Sequence, residues 1–164
     1  MTRNQIPQQL QQHNLVVRSR NFAITHGERP SDDVEDVLIE FDHLQAVHRA
    51  AAMLLGLIED SVVTFEQIEN EFGKYVADIV AIVASHSYAR LRRDWVTIAL
   101  RLADRIATVR KSIVTGDSKY KMHLEEYPEF RAALFTQTFW TDLLHPMWYE
   151  LDRLMAYGVD HPGF

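Results

Sequence analysis

Apolar residues recur along this chain at steps of three and four, the spacing of one face of an α-helix, and no comparable stretch alternates at steps of two. A first helix runs through Phe22 and Ala23, and the segment 26–31, with Gly27 and Pro30, reads as a loop. Asp32 with Glu35 has the spacing of a capping box, and Val34, Val37, Leu38 and Phe41 follow at helical intervals. The next helix, about Leu44 to Glu59, is apolar on several sides, which predicts a helix buried among others at the centre of a bundle. Thr64 with Gln67 forms a second capping box, opening a short helix to Phe72 that Gly73 ends as a left-handed cap. Tyr75 to Ala84 predicts another buried helix, and a long one from about Leu91 to Val114 sets Leu91, Trp95, Ile98, Leu102, Ile106 and Val109 on one face, before Gly116-Asp117-Ser118 breaks it. A last helix carries Trp140, Leu143, Leu144, Met147, Trp148, Leu151, Leu154 and Met155, with Pro146 expected to kink or divide it after His145. The expected fold is all-α, an irregular bundle of about six to eight helices forming a single domain over residues 1–164.

Composition narrows the chemistry. The 164 residues are 47% hydrophobic and 24% charged, ordinary globular values. The absence of cysteine excludes disulfides, thiolate metal sites and a cysteine nucleophile, and fits a cytoplasmic location. No apolar run approaches the ~20 residues that span a bilayer, and neither an export signal nor an anchor is visible, so no membrane partner is expected. The net charge of -6 is unevenly spread: residues 1–80 hold six basic and thirteen acidic side chains, 81–122 nine and three, and 123–164 two and seven. A duplex would be repelled by the acidic flanks, so nucleic acid is not an expected partner, whereas a small anion suits the basic middle.

Phosphate-cradling glycine loops, H-E-x-x-H pairs, nucleophile elbows and EF-hand loops are all absent. What remains is an ordered set of segments: Ala51-Ala52-Met53-Leu54-Leu55-Gly56-Leu57-Ile58-Glu59-Asp60-Ser61, then Thr64-Phe65-Glu66-Gln67-Ile68 through Phe72-Gly73, then Leu100-Arg101-Leu102-Ala103-Asp104-Arg105 through Arg110. Lys119-Tyr120-Lys121 and Glu126-Tyr127-Pro128-Glu129-Phe130-Arg131 follow. Together these resemble the HD superfamily of metal-dependent phosphohydrolases, and within it the small alarmone-hydrolase type related to the hydrolase domain of Rel/SpoT stringent-response enzymes. The likeness runs from about Phe22 to Leu134. It implies an HD-like bundle with a nucleotide cleft, a divalent metal such as Mn or Mg, and carboxylates at Glu59 and Asp60 acting on metal-bound water.

The departures alter what the resemblance implies. Leu55-Gly56 stands where the family has its His-Asp metal pair, and the earlier metal histidine has no counterpart in the shortened loop before Val34. Of the four usual ligands only Asp104 remains, and one carboxylate does not hold a catalytic divalent ion. His48 shares a helix face with Leu55 but lies roughly 10 Å away along the axis. A site rebuilt from His26, His48 and Asp104 is the less favoured alternative, each histidine reading otherwise as a partly exposed surface residue. Glu59 and Asp60, at the negative end of a helix, call for a cation, and Arg101 or Arg105 is the candidate. Leu55 and Gly56 are expected inside the bundle.

The candidate ligand-binding residues are His26, Arg29, Arg90, Arg92, Arg93, Arg101 and Arg105, the arginines matching phosphate oxygens as bidentate forks. The function expected is that of a catalytically silent HD-type protein needing no cofactor, with Glu59, Asp60 and Asp104 vestigial, that binds a phosphorylated nucleotide or a protein partner. Two alternatives stand beside it: an active nucleotide or alarmone phosphohydrolase with a rearranged metal site, and a structural, homo-oligomer-forming module.

Overall fold

A computed structural model describes residues 8–27, 32–43, 45–135 and 140–160. Among the described residues there are nine helices and no strand: α1 (Gln8–Thr25), α2 (Asp32–Glu40), α3 (Ala46–Glu59), α4 (Phe65–Phe72), α5 (Lys74–Ala84), α6 (Tyr88–Leu91), α7 (Trp95–Thr115), α8 (Lys119–Leu134) and α9 (Trp140–Asp160). The all-α expectation holds. One apolar cluster draws side chains from every one of these helices. No helix among the described residues is long and apolar enough to cross a membrane.

The centre of the bundle is α7 rather than α3. Helices α2, α3, α5, α6, α8 and α9 all pack on α7, whereas α3 meets α1, α2, α5 and α7. Leu91, read as the start of the long helix, instead ends the separate turn α6, because Asp94 caps α7 by accepting from the Val96 N–H at 2.9 Å. Thr97 secures the junction through its hydroxyl, which donates to the Leu91 and Asp94 carbonyls at 2.9 and 2.8 Å. The helix count also rises because Lys119–Leu134 folds as α8, and α9 runs undivided through Pro146.

Local capping follows the sequence at one of the two predicted boxes. Thr64 and Gln67 exchange both bonds, at 2.8 and 3.2 Å. Glu35 is otherwise engaged: it is buried, and its carboxylate accepts from Arg20 of α1 and from Arg49 of α3 at 2.7 Å, tying three helices together. Gly116 ends α7 in the left-handed conformation, φ 67° and ψ 27°. Gly73 differs from the expected cap, since its φ of 89° is paired with ψ 163°, an extended mirror-image geometry open essentially to glycine alone. It turns the chain directly from α4 into α5. A Cβ there would meet nothing within 4 Å, so the cost of Gly73→Ala lies in the backbone. We expect that substitution to lower unfolding free energy by about 1–3 kcal/mol in denaturant titration; no loss would show that this junction relaxes freely.

Candidate functional site

The end of α3, the ends of α4 and α5, α6, and the facing sides of α7 and α8 enclose an open cleft of about 950 Å³. Its floor is set by α7. Arg101 and Arg105 lie one turn apart and face the same way, which the helical repeat requires of residues four apart. Both are largely buried, 8% and 7% exposed, so each guanidinium must find partners in the protein or in a ligand.

Each arginine meets a carboxylate and a histidine. Arg101 donates to Asp104 Oδ2 at 3.1 Å and to His86 Nδ1. Arg105 donates to Glu126 Oε2 at 3.0 Å and to His123 Nδ1, and its guanidinium lies 4.7 Å from the centre of the Phe130 ring. A guanidinium has no acceptor and stays protonated, so each Nδ1 is the accepting nitrogen and each neutral ring carries its proton on Nε2. Burial, and then Arg101 or Arg105, hold both histidines below the ordinary imidazole range, which keeps them neutral. Two ring N–H donors result. That of His86 points toward Glu59, 4.0 Å away, and that of His123 is buried with no partner among the described residues. Arg101 Nε is likewise buried and without a partner there.

Glu59 is pushed above the usual carboxylate range, first by burial and then by Asp104, with Arg101 opposing both. Neither Arg101 nor Arg105 forms an ion pair with Glu59; they pair with Asp104 and Glu126 instead. Around these polar groups, Ile58, Phe65, Ala81, Ala84 and Met122 supply an apolar wall. The arrangement is suited to an anion with an apolar body, because it sets two guanidiniums next to apolar surface.

Of the residues singled out from sequence, Glu59, Arg90, Arg101, Asp104 and Arg105 line this cleft. Asp60 does not; it is exposed as the cap of α3. Arg92 and Arg93 are exposed just beyond α6 and lie outside it as well. His26 is elsewhere, with Nδ1 2.8 Å from the Phe22 carbonyl and its ring against Phe22. Arg29 falls outside the described residues. His86 and His123 lie between the motif segments and Glu126 opens one of them, but their part in the site was not legible because they meet Arg101 and Arg105 only when the helices assemble.

The donor set does not fit a divalent metal. Leu55 is buried and apolar, while Gly56 is half-buried rather than enclosed, and Asp104 is held by Arg101. Among the described residues no three His, Asp or Glu side chains come together as a metal site would need, so His26, His48 and Asp104 form none. Of the two histidines read as partly exposed, His26 is half-buried and His48 departs from that reading, being completely buried. Arg110, from the same basic stretch, serves the fold by bridging Glu40 of α2 and Glu150 of α9.

No family model, no curated protein and no solved structure matches the chain.

Proposed function

We propose that this protein binds a phosphorylated nucleotide in the α7 cleft and does not consume it. The observation that carries the reading is the pair of guanidiniums one turn apart, Arg101 and Arg105, lining the cleft beside an apolar wall. Phosphate oxygens would match these forks without a bridging metal. Family resemblance supports the placement, since Glu59 from one motif segment and Arg101, Asp104 and Arg105 from another converge on this cleft. In this reading the chain is a degenerate HD-type protein in which an arginine network replaces the metal. Arg90 at the cleft edge adds a further cation, and Arg92 and Arg93 have no part.

A thermal-shift screen of nucleoside mono-, di- and triphosphates, cyclic dinucleotides and alarmones, run with a chelator, tests the proposal. Ligand at a hundred times its dissociation constant stabilises by about 2.7 kcal/mol, a melting shift of roughly 5 to 10 °C at this chain length. Arg90→Ala should reduce the shift and Arg92→Ala should leave it intact. If every compound moves the melting point by less than about a degree, the nucleotide reading is wrong.

A further inference from the structure

The charges around the cleft limit how much phosphate it will accept. Four cations line it, Arg90, Arg101, Arg105 and Lys119. Against them stand the carboxylates of Glu59, Asp104 and Glu126, and two of these are already committed, Asp104 to Arg101 and Glu126 to Arg105. With His86 and His123 neutral, the lining carries one net positive charge. One phosphate group carries one to two negative charges near neutral pH, and each further group in a chain adds at least one more.

A longer phosphate chain gains no cationic excess along α7. The cleft adjoins a second cavity of about 450 Å³ along α7, the two sharing Asp104, Thr108 and Lys119 as common walls. Apart from these shared walls, Asp33 and Asp117 there face Lys111 alone, so the far part of the second cavity is net negative. A phosphate chain leaving Arg105 in that direction would run toward carboxylates. Within the cleft itself, Ile58, Phe65, Ala81 and Ala84 suit a base and not an anion.

Resting on the nucleotide reading above, we propose that the ligand carries a single phosphate: the cleft selects a nucleoside monophosphate over the corresponding di- and triphosphates. Arg101 and Arg105 hold that phosphate, and the apolar wall holds the base. The preference is reversed from what a metal-bridged polyphosphate site would give, and its source is the carboxylate excess beyond Thr108.

Isothermal titration of the full chain with the mono-, di- and triphosphates of adenosine and guanosine, in chelator, reads the preference. Two extra phosphate groups facing exposed carboxylates in a high-dielectric groove are expected to weaken binding about tenfold. Asp33→Asn is the second arm. Asp33 is exposed and lines the second cavity without lining the cleft, so the substitution keeps its shape and removes one negative charge beyond Thr108 while leaving Arg101 and Arg105 with their partners. That variant should narrow the gap between mono- and triphosphate by threefold or more. A wild-type triphosphate that binds less than threefold more weakly than the monophosphate, or more tightly, overturns the single-phosphate inference while nucleotide binding stands. An unchanged gap in Asp33→Asn overturns the charge argument beneath it. Absence of binding by all six compounds removes the nucleotide reading itself, and this inference with it.

Discussion

Phe130→Ala is expected to lower the unfolding free energy by about 3–5 kcal/mol, a melting-point loss of roughly 6 to 20 °C at this length. The ring is fully buried, meets Tyr88 edge-on at 6.2 Å and Trp148 at 5.9 Å, and supports the Arg105 guanidinium from below. Truncation leaves a cavity beneath a charged group, so the cost combines lost transfer energy, lost packing and a cation–π contact worth about 0.5–2 kcal/mol. Phe130→Leu separates the two roles, because it refills most of the volume and offers Arg105 no π face. It should keep most of the stability and still weaken nucleotide binding. Denaturant unfolding and calorimetric titration read the two effects, and a loss below about 1 kcal/mol in Phe130→Ala would be inconsistent with a pillar at this position.

The second large effect is a loss of stability in acid. His48 is completely buried, and neither ring nitrogen has a partner among the described residues. Its ring lies 5.9 Å from His43 and 5.0 Å from Trp95, and burial followed by the nearby His43 lowers its pKa from 6.5 to about 4. His43 is lowered in the same sense, by burial, with the adjacent Asp42 opposing. A histidine lowered in the folded state binds its proton more tightly when unfolded, so acid favours unfolding. Stability from His48 is intact above about pH 6.5 and is lost as pH falls to about 4, by about 3 kcal/mol. Glu150 and Asp152, held below the usual carboxylate range, lose their contributions only in stronger acid. His48→Leu should therefore flatten the stability profile between pH 6.5 and 4 by most of that amount. The same steep loss in His48→Leu as in the parent would assign the acid sensitivity to other groups.

The helices were legible in the chain wherever one face alone was buried, and α8 shows where legibility ended. Its inward positions, Tyr120, His123, Tyr127, Phe130 and Leu134, do follow steps of three and four, but two are tyrosines and one is a histidine, lying among charged neighbours and a proline. A count of aliphatic residues passes over such a face. Leu91 misled in the opposite way, because the periodicity of α7 continues by chance across the Asp94 cap. The arginines of α7 could be read as a cluster, since residues four apart share a face in any helix. Their partners could not. His123 and Glu126 reach Arg105 from 18 and 21 residues away, and His86 reaches Arg101 from 15, through contacts made only when α5, α7 and α8 assemble. The pairing of Glu35 with Arg20 and Arg49 was hidden for the same reason, behind a local spacing that also satisfies a capping box.

Arg101 and Arg105 sit in the element on which most of the bundle is built, and this has a consequence for how the protein can change over generations. Substituting either one disturbs the packing of α7 against α5 and α8 as well as any ligand, so drift at those two positions is penalised twice. Phe65, Arg90, Lys119, Met122 and Glu126 border the same space from exposed positions on other helices and loosely constrain the fold. New preferences among descendants of this chain should therefore arise at the rim, with the α7 pair inherited unaltered beneath them.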